Sequence, residues 1–384
     1  MATRCLFINL AMFKIIKQSK ISKARIGKLK TSHGDVETPF FMPIATRGAV
    51  KNLSGSELND LGASVVLSNV FHLSIRPGLG VLKKIKGLHN FMGWGGPILT
   101  DSGGYQVFSL AKNRKISDKG VRFKSPYDGL DLFFSPENVI EHQKIIGSDI
   151  LMVLDECPAF IKEKSIISNA VDRTGLWAKR SKEHFQRTFK GARKKPLLFG
   201  IVQGGVYRDL RERAAKELLR IDFDGYAIGG LCLGEEAQET KTVLQWLSDV
   251  LPVDKPRYQM GAGLPEQILQ AVKLGVDMFD CVIPTRNARH GELFVFKRHK
   301  NKEIGLKGSF YERIKIGNSR FKEDFERLDC FCSCYFCRQL TKAYLHHLFK
   351  TGEPLYQRLA TLHNLRFYFE LMENIKNGIK KGGF

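Results

Sequence analysis

The chain has no apolar run approaching the roughly 18 residues of a membrane-spanning helix. No membrane partner is therefore expected. Its first residues, Met1 to Ala11, are weakly apolar with only Arg4 charged, and they lack the layout of a signal peptide. A cytoplasmic location is the expectation. Met12 offers an alternative start, so residues 1–11 read as a disordered or non-native extension, with a single catalytic domain over 12–384. There is no low-complexity linker and no internal repeat beyond an alternation of apolar runs with helical patterns. Evenly spread cysteines are missing too: of eight in all, Cys330, Cys332, Cys334 and Cys337 share one eight-residue window. Such clustering points to a metal rather than a disulfide framework. Acidic residues are in short supply, 39 against 61 Lys+Arg, for a net charge of +22. That excess predicts attraction to polyanions, nucleic acid first, although a general lysine bias would give the same number.

With 384 residues and 43% hydrophobic content, the chain suits one large barrel with insertions. Eight short apolar runs recur: 40–44, 64–69, 97–101, 149–155, 197–203, 225–230, 257–261 and a last one ending at Asp280. Continuous rather than alternating runs suit parallel strands buried on both faces. Helical patterns lie between them, including one capped by Ser135 with Pro136 at its first position, one over Tyr207–Leu219 and one over Glu235–Val250. The expected fold is an α/β, irregular (β/α)8 TIM barrel, with an open doubly wound sheet as the alternative. At or next to their ends the runs carry Asn69, Asp101, Asp155, Gln203, Gly230, Met260 and Asp280. In a barrel these strand ends share one mouth, where active sites sit. Two insertions stand out: Lys112–Asp131, a hairpin or long loop, and Gly291–Cys337, with a strand at Glu292–Phe296 and a basic turn at Lys297–Lys302. Helical patterns at Gln339–Phe349 and Thr361–Ile375 close the chain.

Three groups of residues carry chemistry. In Val276–Gly291 a carboxylate, Asp280, ends an apolar run and is followed by Arg286 and Arg289. That order suits attack on a sugar carbon whose phosphates are held by cations, or else a capped turn beside solvated arginines. Cys332, Cys334 and Cys337, with His363, make a closed tetrahedral zinc set, against which a four-cysteine site using Cys330 competes. Finally, Asp101-Ser102-Gly103-Gly104-Tyr105, Asp155-Glu156-Cys157, Gln203-Gly204-Gly205 and Gly229-Gly230-Leu231 combine acids, an amide, an aromatic face and bare backbone. Together these could read the edge of a purine, although Asp-Ser-Gly-Gly alone also makes an ordinary turn.

At these segments, and at Ser102–Phe108, Asp277–Arg286 and Leu362-His363-Asn364-Leu365, the chain resembles the bacterial tRNA-guanine transglycosylases, the queuine tRNA-ribosyltransferase family. The similarity runs from about Lys14 to Glu373. It implies an irregular TIM barrel with a small C-terminal zinc-binding lobe, placed here at 291–363, usually homodimeric. It implies exchange of the wobble guanine of G-U-N anticodon tRNAs, those for Asp, Asn, His and Tyr, for preQ1 (7-aminomethyl-7-deazaguanine) in queuosine biosynthesis. By residue, it implies Asp280 as nucleophile and Asp101 as general acid/base. Ser102, Asp155, Cys157, Gln203, Gly229, Gly230 and Leu231 would bind the base, and Tyr105 and Met260 would sandwich it. Thr285, Arg286 and Arg289 would contact the RNA, while Cys332, Cys334, Cys337 and His363 would hold one structural Zn2+. Leu233 stands where bacterial relatives typically have valine, and Cys330 is extra to the pattern. No ATP or redox cofactor is expected, because one glycosidic bond replaces another.

Three rivals remain at this level. A non-catalytic tRNA-binding subunit would not need both Asp101 and Asp280. An archaeal-type enzyme would carry further RNA-binding domains. A barrel enzyme on a small phosphorylated substrate would leave the cysteine cluster unexplained.

Overall fold

All eight apolar runs become strands. The computed structural model describes residues 12–106, 114–125, 127–158, 163–297 and 305–384. The readings made of 1–11, of Val107-Phe108, of the start of the first insertion and of the basic turn beyond Lys297 fall outside these residues. A small antiparallel sheet comes first: β1 (Phe13–Gln18), β2 (Arg25–Thr31) and β3 (Gly34–Thr38). Next come β4 (Phe40–Met42), β5 (Val66–Asn69) and β6 (Ile98–Asp101). An inserted antiparallel sheet follows: β7 (Lys115–Ser117), β8 (Gly120–Lys124) and β9 (Asp131–Phe134). The barrel resumes with β10 (Ile150–Met152), β11 (Leu197–Val202), β12 (Gly225–Ile228), β13 (Arg257–Gln259) and β14 (Met278–Asp280). A hairpin of β15 (Glu292–Phe296) and β16 (Tyr311–Lys315) completes the strands.

The eight barrel strands pair in parallel in the order β4-β14-β13-β12-β11-β10-β6-β5. The ring closes just past β4: the Leu67 N–H donates to the Pro43 carbonyl (3.1 Å), and the Ala45 N–H to the Leu67 carbonyl (2.6 Å). It is thus a barrel and not an open sheet. Every residue of these strands is buried, because helices cover the outside and side chains fill the inside. The helix Pro136–Ile146 begins as its sequence dictates, with Ser135 and Asn138 exchanging reciprocal cap bonds and Pro136 at the first position. Arg208–Ile221 and Ala237–Val250 supply two more outer helices.

The lower end of the barrel is covered by the β1–β3 sheet. A buried bidentate pair ties the two together, with Arg25 Nε and Nη2 reaching the Asp277 carboxylate at 3.0 and 2.6 Å. Asp277 and Asp280 lie three residues apart in sequence but at opposite ends of β14, one serving the closed end and the other the mouth.

Three readings need correction. The first insertion is a three-stranded sheet rather than a hairpin or loop, since β9 adds to β8 before Ser135. The helix expected from Gln339 begins at Lys342, because Thr341 caps it and Gln339 ends a separate short helix, Tyr335–Gln339. The last helix is longer than expected, Pro354–Lys380, with Pro354 at its first position and one face buried along its length.

Candidate active site

The carboxyl ends of parallel strands bring the polar run-ends to one mouth. Asp280 ends β14, and its side chain is buried. Its Oδ1 accepts the Tyr258 hydroxyl at 2.5 Å and the Gly261 N–H at 2.9 Å, while Oδ2 is bonded by no described residue. Asp101 ends β6 and accepts the Asn69 amide from β5 on its Oδ2 (2.7 Å). Beyond β10, Asp155 accepts the Gln203 amide on Oδ2 (2.7 Å) and the Ser102 hydroxyl on Oδ1 (3.4 Å). Strands β6, β10 and β11 therefore meet in one hydrogen-bonded set.

Three buried carboxylates so close together cannot all ionise easily. Burial, then the charges of Asp155 and Asp280, push the Asp101 carboxyl up to about 7. Burial also raises Asp155 to about 6, against the pull of Gln203 and Ser102. Asp280 is raised as well, by burial, with the Gly261 and Tyr258 donors opposing the shift. Asp101 is thus the group best placed to hold a transferable proton near neutrality, while Asp280 owns the two donors that stabilise a carboxylate. Burial keeps the Cys157 thiol neutral, pushing it up to about 12.

Beside the acids lies a floor of bare backbone. Gly230 has φ +64°, and a Cβ there would meet Gln203 Oε1 at 2.4 Å; at Gly104 a Cβ would meet Asp155 Oδ1, also at 2.4 Å. Glycine at both positions lets the amide and the acid close on the loop. Leu231 is buried, Met260 half-buried and Tyr105 exposed at 45%.

Beneath this floor is an arginine that the linear reading missed. Arg211 is completely buried, and its hydrogen bonds go to backbone carbonyls rather than to a carboxylate. Nη1 donates to the carbonyls of Val202 (2.7 Å) and Gly229 (2.8 Å), Nε to Gly205 (2.7 Å) and Nη2 to Gly230 (3.3 Å). A trans peptide sets its C=O and N–H on opposite sides. Anchoring the Gly229 and Gly230 carbonyls therefore turns the Gly230 and Leu231 N–H groups away from Arg211. One signal for this was available: Arg211 occupies the helix face of Leu210, Ala214, Ala215 and Leu218. Glu235, read as the start of a helix, instead accepts the N–H groups of Cys232 and Leu233 and the Thr240 hydroxyl, so that helix begins at Ala237.

Arg286 and Arg289 lie on a short helix, Ile283–Arg289, that follows β14. Arg286 is exposed and lines a surface groove with His290, Lys315 and Asn318. Arg289 is half-buried, with Nη1 on the Thr285 carbonyl (2.9 Å), and Thr285 itself is buried. This helix leans on the last one, where Asn364 donates to the Pro284 and Glu292 carbonyls (3.0 Å each) and accepts the Phe294 N–H (3.1 Å).

Next to Asn364 is His363. Its Nδ1 faces the sulfurs of Cys332 (3.7 Å), Cys334 (3.8 Å) and Cys337 (3.3 Å), all buried. Its Nε2 is held by the Phe294 carbonyl at 2.8 Å, which fixes the tautomer with Nδ1 free to ligate. These four residues form a cluster able to hold one metal ion, and the exposed Cys330 lies outside it.

A sequence model described as queuine tRNA-ribosyltransferase matches residues 19–384. A protein of that name from Dictyoglomus turgidum is 47% identical over 371 residues, 97% of this chain and 91% of its own length. One from Acinetobacter baumannii is 47% identical over 371 residues, 97% of this chain and 94% of its own. One from Desulforamulus reducens is 48% identical over 368 residues, 96% of this chain and 94% of its own.

Proposed function

The chain belongs to the queuine tRNA-ribosyltransferase family, and on that premise we propose that it replaces the wobble guanine of G-U-N anticodon tRNAs with preQ1 through a covalent bond between Asp280 and ribose C1′. One observation carries this reading: a buried aspartate pinned through one oxygen, beside a second acid whose carboxyl lies at about 7.

The chemistry follows from the placement. Asp280 Oδ2 attacks C1′ from the face opposite the leaving guanine, while Oδ1 stays bonded to Tyr258 and Gly261. Guanine departs, and Asp101 supplies a proton as it does so. PreQ1 takes the vacated place. Asp101, now the base, removes its N9 proton as N9 displaces Asp280. Two inversions return the original anomer, as in retaining glycosidases. The target base must first leave its stack, at a cost of a few kcal/mol. Stacking against Tyr105 and Met260 returns about 1–3 kcal/mol.

Base recognition uses the rest of the mouth. Asp155 accepts N–H groups of the purine edge, and the Gln203 amide and the backbone N–H groups of Gly230 and Leu231 donate to its carbonyl. Arg211 acts through the backbone, as a positioning residue. Ser102 and Cys157 complete the walls. Leu233 favours the compact preQ1 over queuine with its added ring. Thr285, Arg286 and Arg289 hold the anticodon loop, and the net charge of +22 draws in the phosphates, so tRNA affinity should fall steeply with salt.

Zinc suits the cluster: three thiolates and one imidazole form a closed tetrahedral set with no open position. Its role is structural, cross-linking the 291–363 lobe to the last helix, and every chemical step belongs to the aspartates. A homodimer is the proposed assembly.

The test is incubation with radiolabelled guanine and a G-U-N tRNA, alone and with preQ1 or queuine competing. Label entering the tRNA, and its block by preQ1 at lower concentration than queuine, supports the reading. No incorporation removes the exchange activity, and preferential block by queuine reverses the base assignment.

A further inference from the structure

We propose that His33, His89 and Asp149 form a second metal site, for a divalent transition cation such as Zn2+, at the end of the barrel opposite the mouth. The three residues come from separate segments. His33 lies in the turn between β2 and β3, His89 in the short helix Leu88–Met92, and Asp149 directly before β10. Tertiary folding alone brings them together, and the ligating atoms lie within 4.8 Å of one another.

Ordinary packing accounts for only part of this arrangement. The Asp149 side chain is fully buried and already accepts two backbone N–H groups, from Ile98 on Oδ2 (2.9 Å) and from His33 on Oδ1 (3.1 Å). Two imidazoles also converge on it. His33 Nδ1 is 2.8 Å from Oδ1, and His89 Nε2 is 3.3 Å from Oδ2. That His89 nitrogen is buried and makes no aligned hydrogen bond. The two rings stack with centroids 3.7 Å apart and 22° between their planes. Two protonated imidazoles stacked so closely would repel each other. Neutral or singly protonated, the pair still leaves His89 Nε2 3.3 Å from Asp149 Oδ2 without an aligned bond. A cation between the ring nitrogens and the carboxylate resolves both problems.

The donor set also selects the class of ion. Two imidazoles and a carboxylate suit Zn2+, Co2+ or Ni2+ rather than Mg2+ or Ca2+. Bonds of about 2.0–2.2 Å to each ligand put neighbouring ligand atoms roughly 3.3 Å apart, and two of the separations here are 2.8 and 3.3 Å. The stacked rings must turn so that both in-plane lone pairs meet at one ion, a rotation that the exposed turn carrying His33 permits. His33 is 39% exposed, so water can take the fourth position. Bound there, the ion would staple the β1–β3 sheet to the starts of β6 and β10. The site does not depend on the tRNA reading, because none of its residues lies near the mouth.

The test uses the full-length protein with its cysteine cluster loaded and zinc measured at one per chain. ZnCl2 is then added in a calorimeter, and the melting temperature is followed in parallel. Wild type should take up one further equivalent and melt a few degrees higher. His33→Ala and His89→Ala should each weaken that second binding by at least about tenfold while keeping the first zinc. His33→Ala alters an exposed turn and leaves Asp149 with its backbone donors, so it reports even if His89→Ala folds poorly. Co2+ offered in place of Zn2+ should show the second site's visible bands without thiolate charge transfer. Saturation of wild type at one zinc, or a second equivalent that survives His33→Ala undiminished, overturns the proposal.

Discussion

The phenol of Tyr258 lies 2.5 Å from Asp280 Oδ1, a hydrogen bond across neighbouring strands β13 and β14. The phenol is buried and its pKa is raised well above 10, by burial and then by the Asp280 charge, so it is always a donor here. Tyr258→Phe leaves the ring and removes the donor. Hydrogen bonds to charged groups contribute about 1.5–3 kcal/mol, so kcat for guanine exchange should fall about tenfold or more. The acid limb of its pH profile should move upward, because the carboxyl loses a group that favours its ionised form. An unchanged profile would mean that the phenol only packs.

Asp280→Asn should abolish both exchange and the tRNA adduct seen on a denaturing gel. Asp101→Asn should slow both guanine departure and preQ1 incorporation, yet an adduct should still accumulate slowly, because the attacking carboxylate is intact. A stable adduct from the Asp280 variant would move the nucleophile elsewhere.

The raised carboxyls set the direction of stability with pH. An unfolded aspartate titrates near its ordinary value of 3.8, whereas folded Asp101 titrates at about 7 and Asp155 at about 6. The folded state thus keeps protons that the unfolded chain has released. The stability they contribute is complete below about pH 4 and is lost as pH rises through 6 and 7. Asp101→Asn, which cannot ionise, should therefore melt above wild type at pH 8, with the gap closing by pH 4. Equal gaps at both pH values would remove Asp101 from this linkage.

Arg211→Lys keeps a charge but cannot reach four carbonyls from one nitrogen. It should raise KM for guanine severalfold, with a smaller change in kcat and unchanged tRNA affinity. Parallel losses in all three would mark a folding defect instead.

Metal analysis should find zinc held in the cysteine cluster, with Cys330→Ser retaining it and Cys337→Ser losing it. Loss in the Cys330 variant would bring that exposed thiol into the coordination shell.

The barrel was legible because its strands are buried on both faces, which forces unbroken apolar runs such as Leu197–Val202. The mouth was legible because parallel strands align their ends, so Asp101, Asp155, Gln203 and Asp280 could be grouped without contacts. What stayed hidden depends on side-chain direction. Tyr258 sits inside an apolar run, and nothing local says that its hydroxyl meets Asp280. Arg211 reads as one more charge on a basic helix unless its apolar neighbours at helical spacing are weighed. The His33, His89 and Asp149 cluster joins positions more than 50 residues apart in sequence, and only the closed ring brings them together.

His363 and Asn364 are consecutive on the last helix, one facing the thiols and the other gripping the Pro284 carbonyl. The metal lobe and the arginine-bearing helix therefore share a single rigid handle. On the RNA-binding role proposed for that helix, a thiol-alkylating reagent that strips the cysteine cluster should act as a remote inhibitor, weakening tRNA binding while the two aspartates remain chemically untouched.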